Sequence, residues 1–188
     1  MNPTLTVICG GMYAGKSSEL IRQLERYSRA GIQVQAFMPR ADTRYKEQQR
    51  IITHDQRHFQ AHSISAPMLI QPLLREETKI VGVDEIQFFD DTLVPVVRVL
   101  LRAGLSVIAA GLDLDYREQP FQGMAQLLCL ATGIHKLRAV CARCGADACR
   151  SCRTQGGDKR LQVGGEESYQ AVCLSCYQAG SDHGIAAC

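Results

Sequence analysis

The clearest pattern in the chain is an alternation of short apolar runs with stretches of helical spacing. Residues 5–9 form an apolar, β-branched run that ends at two glycines. Apolar residues then recur with helical spacing before Gly31, at Leu20, Ile21, Leu24 and Tyr27. This change of spacing predicts a strand, a tight loop and a helix that ends at Gly31.

The same alternation continues to about residue 131. Apolar runs at residues 33–38, 79–83 and 105–110 predict three more strands. Asp90 and Asp91 are suited to cap a helix that ends at Gly104, with an inward face formed by Leu93, Val96, Val97, Leu100 and Leu101. A short helix is predicted over residues 124–131. Strands that alternate with helices predict an α/β fold with a parallel sheet and right-handed crossovers.

Two segments depart from this pattern. Residues 39–65 show little periodicity and many polar and basic residues, including His54, His58 and His62, so we expect a surface segment there. After Leu137, cysteines, glycines and charges replace the periodic apolar runs. The change predicts a nucleotide-binding domain over residues 1–138 and a smaller domain over residues 139–188.

Composition narrows the class of protein. The chain has 188 residues, 46% of them hydrophobic and 21% charged, with a formal net charge of +2. This suits one full core with a small appendage, and argues against a broad basic surface for nucleic acid. No apolar stretch approaches the ~20 residues of a membrane span, and the first residues lack the pattern of an export signal. We therefore expect a cytosolic protein that binds neither nucleic acid nor membrane.

The strongest chemical signal lies between the first predicted strand and helix. The pattern G-x-x-x-x-G-K-S is formed there by Gly10, Gly11, Met12, Tyr13, Ala14, Gly15, Lys16 and Ser17. In such a loop, backbone N–H groups converge on phosphate oxygens, the lysine neutralises the outer phosphates and the serine hydroxyl can ligate Mg²⁺. The motif predicts a nucleotide phosphate site, and by itself it does not distinguish a kinase from an ATPase.

Two acidic residues follow the predicted strand at residues 79–83. The carboxyl edge of a parallel sheet is where ligands bind, so Asp84 is the expected partner of Mg²⁺ and its waters. Glu85 can take a proton from whichever nucleophile lies in line with the γ-phosphate. Water in that position gives hydrolysis, whereas a substrate hydroxyl gives a kinase.

Six of the nine cysteines lie between Cys141 and Cys176. Without an export signal, such clustering favours metal-binding thiols over disulfides. Two C-x-x-C pairs suffice for a closed, structural Zn²⁺ site. The spacing leaves a choice among three pairs: Cys141 with Cys144, Cys149 with Cys152, and Cys173 with Cys176.

These motifs together resemble the type II thymidine kinases, a cytosolic family with a phosphate-loop core and a zinc-bearing lasso domain. The similar stretches cover nearly the whole chain, at residues 39–45, 53–55, 84–89, 111–117, 120–121, 140–144 and 169–176. The resemblance implies a P-loop (RecA-like) parallel sheet with a C-terminal lasso, and it favours Cys141, Cys144, Cys173 and Cys176 as the zinc ligands. It also implies a homotetramer.

The resemblance further implies phosphorylation of thymidine, and of deoxyuridine, by ATP with Mg²⁺. Glu85 would deprotonate the 5′-hydroxyl while Lys16 and Asp84 stabilise charge. Beyond the phosphate loop and Asp84, the nucleotide side would include Asp42, Arg44 and Gln87. The nucleoside pocket would be formed by Met12, Phe88, Leu112, Tyr116, Phe121, Ser151, Gln162, Val163, Gly164 and Tyr169.

Three features depart from the family pattern. Tyr116 stands where the family usually has Phe, Ser151 stands where Thr is common, and Cys149 and Cys152 are additional thiols. A tyrosine hydroxyl in the pocket needs a polar partner. The chief alternative function is a zinc-ribbon P-loop NTPase coupled to nucleic acid or a partner protein, and a nucleotide-gated zinc binding module is a third reading.

Overall fold

The computed structural model describes residues 2–40, 50–53, 56–155 and 168–182. Its first part alternates strands and helices as the sequence predicts. In chain order these elements are β1 (Leu5–Gly10), α1 (Lys16–Arg29), β2 (Val34–Pro39), β3 (Arg50–Ile52), β4 (His58–Gln60), β5 (His62–Ile64), α2 (Ile70–Leu73), β6 (Ile80–Val83), α3 (Leu93–Arg102), β7 (Ser106–Leu112), α4 (Gln122–Leu130) and β8 (Gly133–Lys136).

A six-stranded sheet forms the centre, in the order β5-β2-β6-β7-β1-β8, with every pairing parallel. Strands β1, β6 and β7 are buried along almost their whole length, as expected for a parallel sheet with helices on both faces. Helix α1 packs Leu20, Ile21 and Leu24 against one face. Helices α3 and α4 cover the other, where Val97, Leu100, Met124 and Leu127 are fully buried. The prediction of an α/β fold with a parallel sheet is confirmed.

The predicted helix ends match the backbone. Gly31 and Gly104 adopt positive φ angles of 76° and 85° just after α1 and α3. Asp90 accepts hydrogen bonds from the backbone N–H and the hydroxyl of Thr92, at 3.0 and 2.5 Å, before α3 begins. Thr92 itself, rather than either aspartate, occupies the residue position that precedes the helix.

The predicted surface segment over residues 39–65 contains short strands in its described part, and several of its residues are buried. Strands β3 and β4 form an antiparallel hairpin, and β5 pairs with β2 at the edge of the central sheet. Ile51, Ala61 and Ile64 are buried. Strands of three residues are too short to show a period in the sequence, and their pairing is decided by neighbouring strands. His54 lies outside the described residues.

The second part of the chain is a small module. Its elements are β9 (Ala139–Val140), β10 (Asp147–Ala148), β11 (Arg150–Arg153), β12 (Tyr169–Val172) and α5 (Leu174–Asp182). Two antiparallel pairs, β9 with β10 and β11 with β12, bring its ends together. We call residues 139–153 and 168–182 the cysteine module. Within the described part of the chain, no helix is long and apolar enough to cross a membrane.

Candidate active site

The phosphate loop connects β1 to α1 at the carboxyl edge of the sheet. Gly10 has a φ of 144°, and a Cβ at this position would clash with the backbone oxygen of Leu137. Gly15 has a φ of 78° immediately before α1 begins at Lys16. Both glycines therefore adopt a backbone that other residues rarely adopt. The loop ends at a helix N-terminus, where backbone N–H groups and the helix dipole favour an anion.

Lys16 interacts electrostatically with the acidic groups of this edge. Its Nζ donates a 2.6 Å hydrogen bond to the backbone oxygen of Gly11, which folds the side chain over its own loop. Burial lowers the pKa of Lys16, and the negative charges of Glu85, Asp84 and Asp113 oppose that shift. The charges of both acidic residues that follow β6 therefore act on this lysine.

Asp84 begins the acidic pair at the end of β6 and is 4% exposed. Its carboxylate interacts with the hydroxyl of Ser17 and accepts a 2.9 Å hydrogen bond from the backbone N–H of Glu85. Burial raises the pKa of Asp84 to about 7, and the charge of Glu85 adds to the increase. The two side chains that the sequence predicts as Mg²⁺ ligands, Ser17 and Asp84, are therefore in direct contact.

Glu85 is held by a second buried side chain. The amide nitrogen of Gln87 donates a short hydrogen bond to the carboxylate of Glu85, and the amide oxygen of Gln87 accepts one of 3.0 Å from the backbone N–H of Leu112. Gln87 is 6% exposed. One amide thus links the carboxylate of Glu85 to the end of β7.

Gly111 makes this link possible. A Cβ on Gly111 would lie 2.6 Å from the amide oxygen of Gln87 and 2.7 Å from the Cγ1 of Ile86. The 3₁₀ turn at Ile86–Phe88 therefore packs directly on the backbone of β7. Glu85, which precedes that turn, has a φ of 51°, a left-handed conformation uncommon outside glycine.

The predicted apolar pocket residues do not share one environment. Met12, Phe88 and Leu112 are partly exposed near the phosphate loop and the acidic pair. Tyr116 is 4% exposed and its backbone oxygen accepts a 2.7 Å hydrogen bond from the hydroxyl of Tyr177. Phe121 belongs to the main hydrophobic core.

The cysteine module contacts the phosphate loop directly. The hydroxyl of Ser151 accepts a 2.9 Å hydrogen bond from the backbone N–H of Met12. The hydroxyl of Tyr13 donates to the backbone oxygen of Tyr169 at 3.3 Å. Tyr13 and Ala14 also pack against the buried cluster of the module. Ser151 and Tyr169, which the sequence places far from the loop, therefore lie beside it.

Four cysteines of the module form a cluster that fits zinc. The sulfur atoms of Cys141, Cys144, Cys173 and Cys176 all lie within 4.8 Å of one another, and those of Cys144 and Cys173 are 3.6 Å apart. Four thiolates placed tetrahedrally at ~2.3 Å from Zn²⁺ would lie about 3.8 Å apart. The structure brings together the pairs Cys141 with Cys144 and Cys173 with Cys176, and Cys149 and Cys152 do not belong to the cluster.

Five predicted site residues, Asp42, Arg44, Gln162, Val163 and Gly164, lie outside the described residues. In the opposite sense, the sequence gives no sign of a role for Arg153, which is 5% exposed and contacts the rings of both Tyr116 and Tyr169. A charged residue in a short strand is normally predicted to be exposed, so only the packing of the module reveals the burial of Arg153.

A phosphate loop at the carboxyl edge of a parallel sheet, beside a buried aspartate and a positioned glutamate, defines a P-loop protein equipped for phosphoryl transfer. The model of the thymidine kinase family matches residues 3–177. The chain is 40% identical over 173 residues to the thymidine kinase of Bacteroides thetaiotaomicron and 42% identical over 176 residues to that of Bdellovibrio bacteriovorus, covering 92% and 94% of this chain and 86% of each relative. The chain belongs to the thymidine kinase family.

A solved structure of another kind is also similar. Domain III of the replication initiation protein DnaA from Thermotoga maritima matches with a TM-score of 0.41 and 15% identity, over 71% of this chain and about half, 54%, of that chain. A likeness at this level supports no conclusion about function.

Proposed function

We propose that the protein transfers the γ-phosphoryl group of ATP to the 5′-hydroxyl of thymidine, giving dTMP and ADP in nucleotide salvage. Membership of the thymidine kinase family supports thymidine as the acceptor. The observation that carries the transfer chemistry is Glu85, held by Gln87 beside the phosphate loop and the buried Asp84. Deoxyuridine, which differs by one methyl group on the base, is expected as a second acceptor.

The phosphate loop would bind the triphosphate through its backbone N–H groups, from Gly10 to Ser17. Lys16 would exchange its hydrogen bond to the oxygen of Gly11 for phosphate oxygens, because those oxygens carry full negative charge. Asp42 and Arg44 are proposed to complete the nucleotide side, with Arg44 stabilising the charge that develops on the transferred group.

Magnesium fits the chemistry of Ser17 and Asp84, a hydroxyl next to a carboxylate at the phosphate loop. When bound there, Mg²⁺ would neutralise charge on the phosphate oxygens. The hydrogen bond from the backbone N–H of Glu85 fixes the orientation of the Asp84 carboxylate.

Glu85 would act as the general base. It takes the proton of the 5′-hydroxyl, the sugar oxygen forms a bond to the γ-phosphorus, and the bond from that phosphorus to the β-phosphate oxygen breaks to release ADP. Gln87, which the sequence analysis placed on the nucleotide side, would orient the carboxylate through the hydrogen bond that its amide nitrogen donates.

The nucleoside would lie between the sheet edge and the cysteine module. We propose Met12, Phe88, Leu112, Tyr116, Phe121, Ser151 and Tyr169 as its surroundings, with Gln162, Val163 and Gly164 contributing main-chain contacts. The contacts of Ser151 and Tyr169 with the phosphate loop support this placement. The burial of Phe121 in the core favours an indirect role for its ring.

Zinc would hold the cysteine module together. Four thiolates leave no open coordination position, so the ion would have a structural role. Its ligands come from both ends of the module, Cys141 and Cys144 before β10 and Cys173 and Cys176 after β12. We further propose that the two domains divide between residues 138 and 139 and that the protein is cytosolic. We also propose that it forms a homotetramer, and sedimentation velocity would test this oligomeric state.

The rival function, hydrolysis of ATP coupled to nucleic acid or a partner protein, would use the same Lys16, Asp84 and Glu85 with water as the nucleophile. Family membership does not favour it. The two functions differ in the nucleophile that ATP turnover requires: a nucleoside hydroxyl for the kinase, and water for the rival.

The experiment measures ADP and dTMP formation by the zinc-loaded protein, with and without thymidine and across a panel of nucleosides. Thymidine is expected to raise ADP formation by at least about tenfold, with one dTMP formed per ADP. Rapid ADP formation without nucleoside and no dTMP would refute the proposal, and salt-sensitive stimulation by DNA would favour the rival.

A further inference from the structure

Arg153 occupies an unusual position between two tyrosines. Its guanidinium carbon lies 3.7 Å from the ring centroid of Tyr116 and 5.2 Å from that of Tyr169. Its Nε and Nη2 both donate to the hydroxyl of Tyr169, at 3.1 and 2.6 Å. Arg153 is only 5% exposed, so a cation is buried between these rings.

Both tyrosines lie at the edge of the sheet where the phosphate loop begins. Tyr116 follows the end of β7, four residues beyond the Leu112 N–H that holds Gln87. The backbone oxygen of Tyr169 accepts the hydroxyl of Tyr13 in the phosphate loop. Arg153 also lies two residues after Ser151 on β11, and such residues share one face of a strand. That face of β11 therefore contacts the phosphate loop through Ser151 and the two rings through Arg153.

A buried guanidinium costs free energy unless its surroundings compensate for lost water. Stacking on the face of Tyr116 and a forked pair of hydrogen bonds to Tyr169 both do so. These contacts restrict the side chains of both tyrosines, because the guanidinium covers a face of one ring and holds the hydroxyl of the other. Tyr116 and Tyr169 are thereby held in fixed orientations before any ligand binds.

We infer that Arg153 is a positioning residue of the nucleoside site, which holds Tyr116 and Tyr169 in the orientation that receives the nucleobase. The inference rests on the proposed function, since it takes these two rings as walls of the nucleoside pocket. Prearranged side chains reduce the ordering cost of binding, so their loss weakens binding of the nucleoside more than it slows chemistry. Arg153 acts through the tyrosines and takes no part in phosphoryl transfer.

The main experiment replaces Arg153 by methionine, which keeps most of the length of the side chain and removes its charge and donors. We expect the KM for thymidine to rise by about tenfold or more, as the loss of a buried cation–π contact and charged hydrogen bonds predicts. The KM for ATP, kcat and the zinc content should each change by less than about threefold. Arg153→Lys should recover part of the lost affinity, because lysine keeps the cation without the planar fork.

Two further variants test the route of the effect. Tyr169→Phe removes only the hydroxyl that accepts both donors, and it should raise the KM for thymidine by about threefold. Combining it with Arg153→Met should add little to Arg153→Met alone, since both changes break the same contact. Arg117→Met is the matched control: Arg117 also lies over Tyr116, at 5.0 Å, but is exposed, so its loss should change the KM by under about twofold.

Three results would overturn the inference. The first is a thymidine KM in Arg153→Met equal to that of the unmodified protein. The second is a fall in kcat and in zinc content together with a rise in the KM for both thymidine and ATP, without recovery in Arg153→Lys. That result would indicate a merely structural contact. The third applies if Arg153→Met does not fold: the effects of Arg153→Lys and Tyr169→Phe on the KM for thymidine would then be fully additive in the double variant. Failure of the unmodified protein to phosphorylate thymidine would instead refute the proposed function.

Discussion

The sheet edge and the cysteine module are built in different ways although they meet at the phosphate loop. The sheet edge rests on a core of branched aliphatic residues, such as Val81, Val83 and Val107, all fully buried. The buried cluster of the module consists mostly of alanines and cysteines, including Ala139, Ala148 and Ala171, with Val172 and Tyr177. So little apolar surface cannot hold a module of this size by itself.

The comparison indicates a division of tasks. The sheet places Asp84 and Glu85 at the end of β6, and the phosphate loop at the end of β1, by backbone register, which does not depend on a metal. The module positions Ser151, Arg153 and Tyr169 through a cysteine cluster and a few side-chain contacts. Damage to the sheet edge should therefore reduce chemistry, whereas damage to the module should reduce nucleoside binding. Four predictions, from the largest expected effect to the smallest, test that difference.

The largest effect is expected from Glu85→Gln. Glutamine keeps the size of the side chain but cannot accept the proton, so kcat should fall by ~10²–10⁴-fold. ATP affinity, measured by calorimetry, should be nearly unchanged. Glu25→Gln, which alters an exposed ion pair of α1 with Arg57, is the control and should leave kcat unchanged. Unchanged turnover in Glu85→Gln would remove Glu85 from its proposed role.

Gly111→Ala should damage the sheet edge without touching a substrate. The added Cβ would meet the amide oxygen of Gln87 and the Cγ1 of Ile86, and so shift the turn that carries Glu85. A displacement of about 1 Å in a catalytic group costs up to ~10²-fold, so kcat should fall by about that factor. Steady-state kinetics measure it, with Gly123→Ala as control because a Cβ there meets no atom within 4 Å. A normal kcat in Gly111→Ala would show that the turn adjusts freely.

Cys173→Ser should affect the module and leave the chemistry of the sheet edge in place. Loss of one thiolate weakens zinc binding, and the KM for thymidine should then rise by about tenfold while the KM for ATP changes by less than about threefold. Zinc content by mass spectrometry and the two KM values provide the measurement. Cys129→Ser, at an exposed cysteine of α4, should keep full zinc content. Full zinc content in Cys173→Ser would point to a different set of ligands.

Asp90→Ala should lower stability and leave both sites alone. Hydrogen bonds from Thr92 lower the pKa of Asp90 below its ordinary value of 3.8. A lowered pKa means that the stabilisation is present above pH 3.8 and is lost as pH falls further, through the lower pKa of the folded state. We expect a loss of under about 1 kcal/mol at pH 7, because Asp90 is exposed and its hydrogen bonds with Thr92 compete with water.

Urea unfolding at pH 7 and at pH 3 measures this effect. The difference between Asp90→Ala and the unmodified protein should be smaller at pH 3, and Asp90→Asn, which keeps an acceptor oxygen, should lose less at pH 7. A loss of the same size at both pH values would contradict a role for the carboxylate. Unchanged KM values would show that the helical layer can be weakened without disturbing either site.

Much of the sheet region could be predicted from the sequence, because long apolar runs and helical spacing are local signals. Strands β1, β6 and β7 and helix α1 appear within one or two residues of their predicted bounds. Strands β5 and β8 could not be predicted in this way. Each is only three or four residues long, and it becomes a strand because β2 or β1 offers an unpaired edge.

The candidate site likewise contains residues that a local motif predicts and contacts that only distant parts of the chain create. Residues that belong to a continuous motif, such as Lys16 and Ser17, were predictable because the chemistry of the motif requires those types at that spacing. Gln87 was assigned to the nucleotide by resemblance, yet its amide contacts Glu85 and Leu112. That contact depends on the absence of a side chain at Gly111 on a different strand.

By itself, the sequence determined the phosphate loop, the acidic pair, the alternation of strands and helices, and the presence of paired cysteines. These features depend on neighbours within about ten residues along the chain. Only the tertiary structure showed that the four cysteines favoured by resemblance meet, that Ser151 binds the N–H of Met12, and that Arg153 is buried between Tyr116 and Tyr169. Such contacts join segments far apart in the chain, and their geometry follows from how the module packs against the sheet.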